Sequence, residues 1–259
     1  MSNYVLITGA SGGIGLEFAR IFAKEKHNLL LVARNKEKLG EVKSELEKNY
    51  GVTVHVLSAD LTREEEVDKV YAYSEENGLN IDVLVNNAGF GDFGEYSKCD
   101  YDKQRDMVDL NVLALMKLTR LYLPSMKEKG RGKILNLASV ASFQPGPLMS
   151  VYYASKAFVL SFSEALYAEL KKTGITVTAL CPGPIRTGFE KAANLSNSGL
   201  FKNLKVATAA QVARFGYKKM KKGKAVAIYG STNRFLIFIS RFAPRSLVRK
   251  AVYKIMKVR

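Results

Sequence analysis

The chain has only two cysteines, two histidines and no long apolar run among its 259 residues, and each scarcity removes a class of function. Cys99 and Cys181 have no metal-ligand spacing and are expected to form no disulfide, while His27 and His55 stand alone. Both histidines read as surface or hydrogen-bonded residues, so no metal site is predicted. The longest apolar runs, "LLLVA" and "FLIFI", fall far short of the roughly 18 residues a spanning helix needs. No leader is expected, because the sequence runs into "YVLITGA", which reads as a strand. The cysteine usage fits a reducing, cytoplasmic compartment. Acidic residues are scarce in one place: none follows Glu190. The last 69 residues carry 17 Lys and Arg, so residues 1–190 sum to about −1 and the net charge of +16 resides in the carboxyl-terminal part. That asymmetry suggests an anionic partner and says nothing about the fold.

What is present is an ordinary globular composition, 47% hydrophobic, in a length that suits one large domain. Continuous Val/Ile/Leu runs at 4–9, 28–34, 52–60, 81–89, 132–139 and 175–183 read as strands buried on both faces. Amphipathic stretches at 13–26, 36–49, 63–78, 101–129 and 151–173 read as helices. Their alternation predicts an α/β fold, a doubly wound parallel sheet with helices on both faces and right-handed crossovers. The pattern dissolves at 184–207, then resumes with a helix at 208–221 and a short strand at 225–229. Residues 1–230 are read as a single domain, and 231–259 as a basic, apolar extension of it.

Directly after the first strand comes "TGASGGIG", Thr8 to Gly15. Strand, glycine turn and helix together present backbone N–H groups and the positive end of a helix dipole to a pyrophosphate. Gly9 permits the turn, Gly13 a close approach of phosphates, and Gly15 close packing of the helix; Ser11 and Ile14 lie in the same loop. A glycine-rich connection without a ligand is the alternative. The second strand ends in Ala33 and Arg34, where an NAD-binding fold places an acid about 20 residues past the turn. A guanidinium grips a 2′-phosphate that a carboxylate would repel, which favours NADP(H) over NAD(H) unless Arg34 is simply solvated.

The Thr-Gly-x-x-x-Gly-x-Gly spacing resembles the short-chain dehydrogenase/reductase family, and further motifs follow in the family's order over residues 3–190. "ADL" matches the adenine site and implies roles for Asp60 and Leu61. "NNAG" matches the loop that lines the cofactor, through Asn87, Ala88 and Gly89. "LNLASVAS" holds Ser139, thirteen residues before Tyr152 of "YYASK", and "PGPIRTGF" matches the loop beside the nicotinamide, with Pro182, Gly183 and Thr187. Asn111 of "DLN" matches a family asparagine at a disturbed helical turn, implied to hold a water in a proton relay; an exposed polar residue is the alternative. The resemblance implies a Rossmann-like fold, a homodimer or tetramer built partly from the helices at 101–129 and 151–173, and a substrate lid at 184–207. It also implies that Tyr152 and Lys156 touch the cofactor.

Tyr152 and Tyr153 can both face Lys156 on a helix, so spacing alone does not choose between them. The family's Tyr-x-x-x-Lys pattern selects Tyr152 and leaves Tyr153 to packing or a subunit interface. Ketone reduction delivers hydride to carbon and needs a proton at oxygen, and a free tyrosine near pKa 10 is a poor donor partner to neutral pH. A lysine ammonium about 4 Å away favours the phenolate by roughly 4 kcal/mol at an effective dielectric near 20, which would bring Tyr152 near 7. Ser139 would polarise the carbonyl. Phe90, Phe93, Phe143, Pro145, Pro147 and Met149 are candidate walls for a hydrophobic carbonyl substrate, or else core residues.

The tail 233–259 holds eight basic and no acidic residues among Phe, Leu, Ile, Val and Tyr, and Pro244 divides it into two short helices. Leu247, Val248, Ala251, Ile255 and Met256 can share an apolar face ringed by Arg249, Lys250, Lys254 and Lys257. Such a helix can lie peripherally on an anionic membrane, dock on the body, or receive coenzyme A or an acyl carrier. The tail also looks like that of the lipid-related branch of the family. The expected activity is NADP(H)-dependent reduction of a lipophilic ketone or 3-oxoacyl compound; the alternative is a non-catalytic NADP-binding scaffold. Nucleic-acid binding through Lys218, Lys219, Lys221, Lys222 and Lys224 is disfavoured, since no recognition motif accompanies them.

Overall fold

The computed structural model describes residues 3–186 and 206–257. Strand β1 (Asn3–Thr8) leads into α1 (Gly13–Lys24), β2 (Asn28–Ala33), α2 (Lys36–Tyr50), β3 (Val54–Ser58), α3 (Glu64–Glu76) and β4 (Asn80–Asn86). Next come α4 (Tyr101–Val108), a π-helical turn (Asp109–Ala114), α5 (Leu115–Glu128), β5 (Gly132–Leu137), a 3-10 turn (Val140–Phe143), α6 (Ser150–Glu169) and β6 (Ile175–Cys181). A two-residue parallel pair, β7 (Ile185–Arg186) with β8 (Ala207–Thr208), precedes α7 (Ala209–Lys221), β9 (Val226–Ile228), α8 (Ser231–Ser240) and α9 (Arg245–Met256). Thr187 and most of the expected lid lie outside the described residues.

The main sheet has seven parallel strands in the order β3-β2-β1-β4-β5-β6-β9. Strand residues alternate between faces, and both faces are apolar. Val5 and Ile7 pack with Phe18, Leu39 and Val212 in one core, whereas Tyr4 and Leu6 pack with Val67, Leu118 and Tyr122 in the other. Winding proceeds outward from β1 toward β3, then restarts at β4 on β1's other side. The connections after β1 and β4 therefore leave toward opposite faces of the sheet, which opens a crevice at the carboxyl ends of the strands.

The disturbed turn expected at Asn111 takes a definite form, and one other expectation needs correction. The stretch 101–129 is not one regular helix: the π turn at Asp109–Ala114 adds a residue to one turn and carries Asn111 into the interior, where it is 1% exposed. The tail does form two helices about Pro244, but the apolar face foreseen for the second is divided. Met256 is buried and Val252 packs against the same cluster, whereas Leu247 and Ile255 point to solvent.

Candidate active site

The glycine turn adopts the geometry its residues permit. Gly9 has φ +66° and Gly13 φ +55°, both in the left-handed region that disfavours a side chain. The N-cap of α1 is Gly12, which provides no side-chain cap, and no acid stands in the first turn. The helix therefore keeps its positive end for an anion. Gly15 faces away from the crevice: a Cβ there would lie 2.3 Å from the Gly9 carbonyl oxygen. It lets helix and turn touch and is not itself part of the cleft wall, unlike Gly9, Ser11, Gly13 and Ile14.

Two residues brace this turn against the loop after β4. Asn87 Nδ2 donates to the carbonyls of Thr8 (2.8 Å) and Gly9 (3.3 Å). The Thr8 hydroxyl accepts from the backbone N–H groups of Asn87 and Ala88, each at 3.0 Å. Thr8 was not among the expected site residues, although the motif includes it; its signal was its fixed place before Gly9.

A cleft of about 530 Å³ runs across the strand ends. Ala33, Arg34, Asp60 and Leu61 form one end, and Ala88, Gly89, Pro182 and Gly183 continue the wall. Arg34 is exposed, and no carboxylate among the described residues pairs with it. Asp60 Oδ1 accepts from the Thr62 N–H (3.2 Å) and hydroxyl (2.9 Å), which fixes the carboxylate at the rim.

Ser139, Tyr152 and Lys156 converge at the other end of the cleft. Ser139 caps the 3-10 turn after β5, its Oγ accepting from Ala141 N–H at 3.1 Å, and it shares a hydrogen bond with the Tyr152 phenol. Lys156 is buried and donates to the Leu137 carbonyl at 2.8 Å, with Nζ 6.0 Å from the centre of the Tyr152 ring. Ser142 joins the two elements: its hydroxyl donates to the Lys156 carbonyl at 2.7 Å and accepts from Ser139 N–H at 3.3 Å.

The protonation states differ from the simple ion-pair expectation. Burial pushes the Tyr152 phenol up to about 12 against the opposing Ser139 hydrogen bond. Burial also pulls the Lys156 ammonium down to about 8. Desolvation penalises the phenolate and the ammonium alike, which opposes the pull of the lysine on the phenol. At neutral pH the pair therefore stands as phenol and mostly ammonium.

Asn111 lies one layer behind the cleft. Its Oδ1 accepts from Phe90 N–H (3.1 Å), and its Nδ2 donates to the Phe90 carbonyl (2.9 Å) and to Ser155 Oγ (3.1 Å). Ser155 in turn donates to the Tyr152 carbonyl at 2.8 Å. Gly89 separates Asn111 from Lys156: a Cβ there would sit 2.7 Å from Asn111 Oδ1 and 3.2 Å from Lys156 Nζ. The asparagine thus pins the loop after β4 to the helix bearing Tyr152. Ser142 and Ser155 lie inside the "LNLASVAS" and "YYASK" stretches, but only their hydrogen bonds single them out.

Tyr153 is buried with Ala141, Met149 and Met256, its ring lying across Gly146. That is the packing role expected for it. Of the six candidate wall residues, Phe90 and Met149 line the cleft. Phe143 instead packs beneath it with Leu115 and Val159, and Phe93 packs against the cluster of Tyr153 and Met256.

A sequence model described as "short chain dehydrogenase" matches residues 3–198. The chain belongs to the short-chain dehydrogenase family. A very-long-chain 3-oxoacyl-CoA reductase of Anas platyrhynchos is 41% identical over 196 residues, covering 74% of this chain and 62% of the reductase. The 17-beta-hydroxysteroid dehydrogenase type 3 of Mus musculus is 36% identical over 196 residues, covering 75% of this chain and 64% of that protein. This short-chain dehydrogenase therefore spans under two thirds of the length of both relatives. A solved short-chain dehydrogenase from Sphingobium yanoikuyae in complex with NADPH is 32% identical, with a TM-score of 0.83 over 93% of each chain. Among the described residues, no helix is long and apolar enough to cross a membrane.

Proposed function

We propose that this short-chain dehydrogenase is an NADP(H)-dependent reductase of a lipophilic ketone, with a 3-oxoacyl thioester or a steroid-like ketone as the substrate class. The observation that carries the reading is the convergence of Ser139, Tyr152 and Lys156 on the cleft that also holds the glycine turn. The residues fit a dinucleotide. The uncapped start of α1 suits a pyrophosphate, Asp60 and Leu61 suit an adenine, and Arg34, without a carboxylate partner among the described residues, suits a 2′-phosphate. Bound NADPH supplies the hydride that reduces the carbonyl carbon. Tyr152 gives its phenolic proton to the carbonyl oxygen, and Ser139 holds that oxygen by a hydrogen bond. Lys156 would hold the nicotinamide ribose, and its charge would stabilise the phenolate left by proton transfer. Asn111 sets the loop and helix around Lys156, and it is also the proposed residue to hold the water of a proton relay behind the lysine.

The protonated phenol is the form that reduction consumes. Because Tyr152 is raised toward about 12, it is protonated throughout the neutral range, and the phenolate fraction grows with pH. Ketone reduction should accordingly be level from about pH 6 to about pH 7 and decline as Lys156 loses its charge near 8, while alcohol oxidation should climb up to tenfold per unit at first and flatten as that charge is lost. Initial rates in both directions check this. An oxidation rate that saturates near pH 7 would show that the phenol titrates near neutrality instead.

Cofactor choice is tested at Arg34. Losing charge-assisted bonds to a 2′-phosphate, at about 1.5–3 kcal/mol, should weaken NADPH binding by about 10- to 100-fold in Arg34→Ala. NADH binding should hardly change. Equal losses for both cofactors would remove the case for NADP(H). The relatives' activities support a lipophilic substrate. Exposed Leu113, Met116, Phe158 and Tyr167 beside and along α5 and α6 support assembly as a homodimer or tetramer. The cytoplasm is the proposed compartment.

A further inference from the structure

We propose that α8 and α9 form a docking surface for an anionic phospholipid bilayer, placed beside the substrate end of the cleft. The proposal deepens the reading of the cleft as a site for a lipophilic ketone and rests on that reading for its purpose.

Helix α8 presents its apolar side to solvent. Phe235, Phe238, Ile239 and Phe242 recur at i, i+3, i+4 and i+7 and form one stripe through the helix and the turn after it. Their exposures are 62%, 59%, 46% and 76%, while Ile237 is the buried residue of this helix. Helix α9 adds Leu247 and Ile255, two turns apart and both more than half exposed. Exposed apolar groups of this size, clustered along α8 and continued on α9, mark an interaction surface.

Charge decides what covers it. Arg234, Arg241, Arg245, Arg249, Lys250, Lys254 and Lys257 are all exposed around these stripes, and no acidic residue follows Glu190. A second copy seated symmetrically on the same face would set these cations against themselves with no carboxylate between them. An anionic lipid surface supplies both missing complements, acyl chains for the phenylalanines and phosphates for the arginines and lysines. Neither helix is long enough to span, so the pair lies in the plane of the interface.

The surface connects to the cleft through α9. Met256 is fully buried against Ala141, Met149 and Tyr153, and all three of these line the cleft. At its other end, α8 sets Asn233 against Gly183, whose Cβ would lie 2.7 Å from Asn233 Nδ2. A ketone partitioned in the bilayer would thus meet the cleft without first crossing water.

The test is cosedimentation of the full chain with vesicles of phosphatidylglycerol mixed into phosphatidylcholine, against phosphatidylcholine alone. Binding should be at least about tenfold tighter to the anionic vesicles. The exposed double variant Phe238→Ser, Phe242→Ser should lose at least about tenfold of that affinity while keeping its Tm and NADPH affinity. No vesicle binding would overturn the proposal. So would binding that the double variant retains in full, which would mean bulk charge alone. A wild-type oligomer that the double variant converts to monomer would make the face a subunit contact instead. NADPH titration of the same samples reads the functional proposal separately, since failure there leaves the vesicle result standing.

Discussion

Tyr152→Phe should lower kcat for ketone reduction by about 10³-fold, while NADPH affinity and Tm stay near wild type. Loss of a positioned general acid removes roughly 10²–10⁴-fold in rate. The phenol sits where this chemistry needs it, bonded to Ser139 and within reach of Lys156. Removing one hydroxyl opens no cavity, and Ser139 keeps its bonds to Ala141 N–H and the Pro182 carbonyl. Tyr153→Phe is the control. Tyr153 is buried beside the same cleft, and its ring, rather than its hydroxyl, packs across Gly146. It should retain most of the activity. Steady-state rates on a soluble ketone separate the two variants, and near-wild-type turnover by Tyr152→Phe would refute the assigned acid.

The second large effect is expected at Gly15. Gly15→Ala places a methyl 2.3 Å from the Gly9 carbonyl and 2.6 Å from Asn87 Nδ2. A backbone carbonyl cannot swing aside as a flexible side chain can. The turn must open, and Asn87 must give up its bonds to Thr8 and Gly9. Overpacking of this kind typically costs 1–3 kcal/mol, and the rigid neighbour argues for about 3. In a domain of this size that is a fall in Tm of roughly 6–12 °C. NADPH affinity should fall by at least about 100-fold, because the N–H groups that would meet the pyrophosphate move with the turn. Gly12→Ala is the contrast. Its backbone is extended, at φ −176°, and a Cβ there meets nothing within 4 Å, so Tm should be unchanged. Thermal melts of both variants with and without NADPH check the pair. An unshifted melt for Gly15→Ala would show that the turn is looser than its contacts imply.

The proposed proton-transfer group also illustrates how neighbouring charges and burial compete. Sequence spacing places a tyrosine and a lysine one helical turn apart, and Coulomb's law alone then predicts an activated phenol. In the folded protein Lys156 is buried and Tyr152 is half-buried at the cleft wall, and the desolvation of each opposes the effect. The result suits donation to a ketone at neutral pH, since a phenol already protonated requires no prior uptake of a proton.

The sequence by itself determined the strands, the helices, the parallel doubly wound sheet and the chemical motifs. Those depend on local periodicity and on residue types whose backbone or side-chain needs are written in adjacent positions. Gly9 and Gly13 are legible because only glycine adopts their φ readily, and β1 because both its faces are apolar. Tertiary structure alone decided what depends on residues far apart in the chain. The "DLN" match signals a disturbed turn at Asn111, but only the fold shows that a π turn there rotates it inward to reach Phe90 and Ser155. Ser142 and Ser155 work through hydrogen bonds to other elements, which a serine's neighbours in sequence cannot reveal. Arg34 acquires meaning from having no carboxylate beside it among the described residues. The tail shows the same division. An apolar, basic composition permits burial on either side of α9. Packing of Val252 and Met256 onto the cleft wall chose one side for the body and left Leu247, Ile255 and the phenylalanines of α8 facing outward.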